Sequence, residues 1–166
     1  MTQSMFVILA LMVLSLYVYH QRRTTIQMQE TMVQSAVEVI GNGIAVERLS
    51  RIRSMSFDQA TKGIFIDVPA KLTVPAYFGP NQDMANDDVD DFDGVLQDIY
   101  RVVGTDSLGF RVASSVTYAS ETDPSQAVTG PTKYKKVTVK VYSLDLADAD
   151  TVRISQTLSC KSACNW

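Results

Sequence analysis

Residues 5–19 read MFVILALMVLSLYVY, fifteen positions without a charge, in which Ser15, Tyr17 and Tyr19 are the polar handles. A run of this kind must be surrounded by something other than water. As a helix it is about 22 Å long, short of the ~20 residues that normally cross a ~30 Å hydrocarbon layer, and residues 1–4 bring it near that limit. Tyr17 and Tyr19 sit where an aromatic belt would meet headgroups. His20, Gln21, Arg22 and Arg23 follow at once, so one end of the run is wet. Three readings compete: a cleaved signal peptide, an uncleaved membrane anchor, and a helix that packs against copies of itself. No basic stretch precedes the run and YVYHQRR stands where small cleavage-site residues would be, which disfavours the signal peptide. By the positive-inside rule Arg22 and Arg23 belong on the cytoplasmic side, in conflict with an exported C-terminal part.

The helical pattern does not stop at residue 20. Ile26, Val33, Val37, Ile40, Ile44, Leu49 and Ile52 form a stripe, and Arg22, Arg23, Gln27, Glu30, Gln34, Glu38, Glu47, Arg48 and Arg51 occupy the opposite face. The helix thus changes from apolar all round to amphipathic. Read to residue 55 it is roughly 80 Å long, a length that needs lateral support. Gly41-Asn42-Gly43 interrupts it, each glycine costing about 1 kcal/mol relative to Ala. A kink or melted turn and a close approach of the helix to the rest of the chain both account for the pair.

Beyond the stem of residues 1–55 the period changes, and residues 56–166 read as a β-rich head. Residues 63–68 and 70–78, broken by Pro69 and Pro75, predict short extended pieces of edge or loop character. Stronger strands are predicted at 100–103, 110–119, 134–142 and 151–158, with loops at 79–94 and 121–130. Phe110, Val112, Val116 and Tyr118 alternate, as do Val137, Val139 and Val141, while Lys136, Thr138 and Lys140 face the other way. One sheet face therefore needs a cover, and the amphipathic stretch 33–52 is the segment able to supply it. The predicted fold is α+β: a long N-terminal helix, apolar then amphipathic, packed on a four-stranded antiparallel sheet.

The 166 residues carry a net charge of −3, with no basic field to condense on nucleic acid. Five Lys and Arg against three Glu make the stem mildly basic, and ten against fifteen make the head acidic. One His and two Cys disfavour His-based catalysis and a multi-ligand zinc site. No phosphate-binding loop, G-x-S-x-G or H-E-x-x-H occurs, so neither a cofactor nor an enzymatic activity is expected. The densest polar constellation is Asp87, Asp88, Asp90, Asp91 and Asp93 before Gly94. Hard cations such as calcium take oxygen ligands of this kind. An EF-hand loop ending its turn at Gly94 would however need a ligand where Val89 stands, so that motif fails. A solvated turn whose Asp side chains satisfy backbone donors is the favoured reading, with a structural ion site as the alternative. For Cys160 and Cys164 the favoured reading is a disulfide that pins the C-terminal loop, which implies an oxidising compartment.

The apolar helix running into an amphipathic half, the acidic DDVDDFDG loop and the strand Lys135-Lys136-Val137-Thr138-Val139-Lys140-Val141 together resemble a type IV pilin or pilin-like protein. The likeness covers the whole chain in layout. At motif level it is confined to the helix, residues 92–94 and that strand. It implies a structural subunit of an extracellular, pilus-like surface filament (a fimbrium), held in the inner membrane before assembly. Its partners would be further copies of itself in a helical homopolymer, the inner membrane and the pilus assembly machinery. Met5, Phe6, Val7, Ile8, Leu9, Leu11, Met12, Val13, Leu14, Leu16 and Tyr17 would then be the assembly surface, and methylation of the N-terminal amine is implied. Members usually carry a short basic leader that is removed, so the chain is either numbered as mature or atypical; if Met1 is the mature first residue, Met5 stands where most members have a Glu, and the helix-breaking Pro common after the apolar part is not found here. The alternatives are a membrane-anchored binding module, calcium-binding at the Asp run, and a pseudopilin of a secretion system.

Overall fold

A computed structural model describes residues 2–63, 65–80, 87–146, 151–160 and 164, with only the backbone of residues 2–4. Ile64 and residues 81–86, parts of the predicted 63–68 piece and 79–94 loop, lie outside the described residues. One helix, α1, runs Thr2–Arg53, and the sheet is built from β1 Leu96–Val103, β2 Asp106–Ala119, β3 Ala127–Val128, β4 Tyr134–Ser143 and β5 Val152–Ser159. Within the sheet the strands pair antiparallel, in the order β1-β2-β4-β5, and β3 pairs with the end of β2. The α+β arrangement of a long helix on an antiparallel sheet is therefore the fold. The four predicted strands are present: β1 and β2 begin four residues earlier than predicted, β4 begins as predicted and β5 one residue later, and β3 is an addition within the predicted 121–130 loop.

By packing, the chain divides into two compact units, Met1–Val37 and Glu38–Trp166. The division falls inside α1 and not near residue 55, because Ile44, Ala45, Leu49 and Ile52 are buried in the core of the second unit. In the first unit Ser15 donates to the carbonyl of Met12 at 2.9 Å, and Thr24, Thr25 and Thr31 donate to carbonyls four residues back. These hydroxyls are satisfied within the helix and need no outside partner.

In the second unit α1 passes through Gly41-Asn42-Gly43 without a break. A Cβ on Gly41 would lie 3.2 Å from the Val152 side chain, whereas one on Gly43 would meet nothing. Close approach to the sheet, not a kink, thus accounts for the first glycine. Arg51 and Arg53 lie in the last turn of the helix, where positive charge favours the carbonyl end. Val137, Val139 and Val141 of β4 and Phe110, Val112 and Val116 of β2 complete the core. Gly104, at φ 65°, makes the two-residue connection from β1 to β2.

The segment between α1 and β1 departs from the predicted extended pieces. It contains 3₁₀ turns at Gln59–Thr61, Pro69–Lys71, Pro75–Tyr77 and Asp90–Phe92. Pro69 and Pro75 each open a turn, where a missing N–H is harmless and a fixed φ is pre-set. Ile66, Leu72, Tyr118, Cys160 and Cys164 form a second apolar cluster under this segment.

Candidate functional site

Two features of the described residues have chemical consequences: the surface of the apolar stem and a knot of buried charge in the head. The apolar stem is exposed along its length. Met5, Phe6, Val7, Ile8, Leu9, Leu11, Met12, Val13, Leu14, Leu16 and Tyr17 all present more than half of their surface, Leu11 for example 60%. This helix is long and apolar enough to cross a membrane, by length and composition.

The knot is organised by Lys135, whose side chain is 0% exposed. Its ammonium donates to the Phe57 carbonyl at 2.7 Å, to Asp58 Oδ2 at 3.0 Å and to Asp90 Oδ1 at 2.7 Å. The rings of Phe57, Phe78 and Tyr118 lie within 4.6, 5.2 and 5.3 Å of it. A buried ammonium is tolerable only when paired and hydrogen-bonded in this way. Asp58 is equally committed: it also accepts from the amides of Ala60 and Thr73 and from the Thr73 hydroxyl, each at 3.0 Å. Burial alone would raise its carboxyl, but the charge and hydrogen bond of Lys135 and the two amides outweigh burial and hold it below the usual carboxylate range. Tyr118 donates to the Thr73 carbonyl at 2.8 Å, and burial followed by the charges of Asp58 and Asp90 pushes its hydroxyl well up.

The Asp run sits on the other side of the same knot. Asp88, Asp90 and Asp91 are buried, so the expected solvated turn is corrected: the turn does satisfy backbone donors, but out of contact with water. Asp91 Oδ2 accepts from the amides of Asp87 and Asp88 at 3.0 and 3.3 Å, and Asp88 Oδ1 from the amide of Asp91 at 3.2 Å. Asp93 faces away and accepts from the amide of Val116 in β2 at 2.8 Å. Asp90 holds Lys135 through Oδ1 and its carboxylate also lies within hydrogen-bond reach of the Asp88 side chain. Of the five candidate ligands the fold therefore brings together Asp87, Asp88 and Asp91, each with one oxygen within 4.8 Å of the others. Burial, followed by the adjacent charge of Asp90 and a side-chain hydrogen bond to it, pushes the Asp88 carboxyl up to about 7. Lys62 pairs with Asp87, and that bond together with the charges of Asp87, Asp88 and Asp91 raises its ammonium.

Cys160 and Cys164 form a disulfide with a Cα–Cα distance of 5.5 Å, and the bridge packs against Ile66, Leu72 and Tyr118. Sequence reasoning missed Lys135, Asp58 and Tyr118. Lys135 could have been found by parity, since 135, 137, 139 and 141 share one face of β4 and Lys135 lies opposite Tyr118 in the β2 pairing. No protein-family model, curated protein or solved structure matches the chain.

Proposed function

We propose that the protein is a non-catalytic structural subunit of a helical surface filament, of the type IV pilus kind, in which the apolar stems of many copies pack together. The observation that carries this reading is the contrast within one chain between a head with its own buried core and a 5–19 segment whose large apolar side chains are all exposed. Burying such a side chain stabilises by about 1.5–3 kcal/mol, so eleven of them at residues 5–17 amount to a strong drive toward an apolar environment. Lipid tails and identical rods are similarly apolar, and transfer from one to the other is not costly. A contact of this kind that repeats head to tail without closing makes a fibre. The inner membrane would be the store from which subunits are drawn, the assembly machinery would move them, and the filament would lie outside the cell. The disulfide suits such a compartment.

Electron microscopy of native material sheared from cells tests this reading. Filaments that disappear in a Leu11→Asp variant are expected. A second reading, a permanently anchored head, is favoured by the capacity of α1 to cross a bilayer; detergent-dependent single molecules in place of filaments would establish it.

A further inference from the structure

Lys135 is a primary amine sealed into the head against two carboxyl groups. Its side chain and that of Asp58 are 0% exposed, and that of Asp90 is 5% exposed. The ammonium donates to the Phe57 carbonyl, to Asp58 Oδ2 and, at 2.7 Å, to Asp90 Oδ1, and the rings of Phe57, Phe78 and Tyr118 wall it in. A nucleophile held in contact with an acyl group, with solvent shut out, has an effective concentration far above any reached in free solution. The two carboxyls are not alike. Asp58 is fixed as an anion by the amides of Ala60 and Thr73, the Thr73 hydroxyl and Lys135 itself. Asp90 lies instead beside the buried Asp88 carboxyl, which is hydrogen-bonded to it and raised to about 7. The backbone holds both reactants in place. The Asp90 carbonyl accepts from the amides of Gly79 and Asp93 at 2.9 and 3.0 Å, and Lys135 is paired with Tyr118 of β2 and Leu158 of β5.

We infer that Lys135 and Asp90 condense into an intramolecular amide bond, made by the chain itself with release of one water. A proton passes along the 2.7 Å hydrogen bond from Nζ to Asp90 Oδ1, leaving an amine and a carboxylic acid; burial narrows the gap between the ion pair and this neutral form. The Nζ lone pair then bonds to Cγ of Asp90 while the carbonyl electron pair moves to the other oxygen, which takes the Asp88 proton. Nζ gives a second proton to Asp58, Asp58 passes it to the departing Oδ1 hydroxyl, and the C–O bond breaks with loss of water. The remaining hydroxyl returns its proton to Asp88 as the amide carbonyl forms. Asp58 and Asp88 end as they began, and no oxidant, reductant or activated donor is consumed. The product replaces a buried ion pair by a neutral amide, which removes the cost of keeping two charges out of water. It also ties together positions 45 residues apart, constraining the unfolded chain as a disulfide does. The ion pairs described above are those of the unjoined chain, and the bond forms within one head whether or not subunits assemble.

The test is peptide mapping by mass spectrometry of the full chain, extracted in detergent, then denatured, reduced and digested with trypsin. Peptides 72–101 and 134–136 are expected as one branched species about 18 Da lighter than their sum, the mass of one water, with no cleavage after Lys135. Fragmentation should place the branch between Lys135 and Asp90. Lys135→Arg keeps the cation but removes the nucleophile, and should return 72–101 as a free linear peptide; Asp90→Ala should do the same if the first variant fails to fold. Asp58→Asn should slow joining about a hundredfold by removing the proton carrier, so that freshly made protein is largely unjoined, an effect that a merely structural ion pair would not show. Linear peptides alone from the wild-type chain, a branch at Asp58, or a loss of water confined to one peptide, as ring closure at Asp93-Gly94 would give, would overturn the proposal.

Discussion

In the stem, Met5, Phe6, Leu11 and Leu16 are each at least 60% exposed, whereas in the head Lys135, Asp58, Asp88 and Asp91 are buried to 1% or less. Both regions reverse the ordinary placement of apolar and charged side chains, and they do so for different reasons. The head resolves its reversal internally, since Lys135 finds Asp58, Asp90 and three aromatic rings within the same unit. Among the described residues, the apolar side chains of the stem are left exposed. On the proposed function other molecules cover that apolar surface, whereas the buried ion pairs have surroundings that the fold has already made.

The comparison can be broken most forcefully in the stem. Leu11→Asp places a charge at the centre of the apolar run, at roughly 2.5–3.5 kcal/mol per copy in a bilayer-like environment, and assembly should be lost altogether. Circular dichroism of the full chain in detergent should show an unchanged head melting. In the head, Lys135→Met removes the one ammonium that Asp58 and Asp90 share, and about 3–5 kcal/mol of stability should go with it in urea titration. Adding Asp58→Asn and Asp90→Asn should return part of that loss, because the damage lies in the carboxylates left unpaired.

The two carboxyls with opposite displacements give a pH signature. Asp88 is raised to about 7, so its favourable contribution is complete below the ordinary carboxylate range near 3.9 and is lost as pH rises through 7. Asp58 is lowered, so its contribution is present above that range and is lost as pH falls through its folded value. Stability should therefore peak at mildly acidic pH and fall toward pH 8. Denaturant titrations across pH check this, and Asp88→Asn should flatten the alkaline limb alone.

Smaller effects sharpen the boundary between helix and sheet. Gly41→Leu should cost about 1–3 kcal/mol by overpacking against Val152. Gly43→Ala enters open space and should gain up to about 1 kcal/mol of helix stability. Arg101→Ala breaks an exposed pair with Glu47 and should change stability by less than about 1 kcal/mol. Thermal melts of the three variants rank them directly.

The long helix and the strands at 110–119 and 134–142 were legible because alternation and helical spacing are carried by neighbouring residues. The 3₁₀ turns were not, since Pro69 and Pro75 fit both an extended piece and a turn opening, and tertiary contacts decide between them. The Asp run was legible as a constellation but not as a buried one. Its burial depends on Lys135, some 45 residues further along the chain, arriving beside Asp90. The same parity that placed Val137 and Val139 in the core placed Lys135 there too. A Lys at a core position reads as an error until its partners are found.

Because the two described cysteines are bonded to each other, a single Leu11→Cys substitution introduces a lone reactive thiol into the stem. Oxidation of this variant in native surface material, separated from membranes, measures directly what covers the apolar rod. Covalent pairs of subunits joined through position 11 are the predicted result. Subunits that stay single under oxidation, with a thiol shielded only by lipid or detergent, would contradict the account.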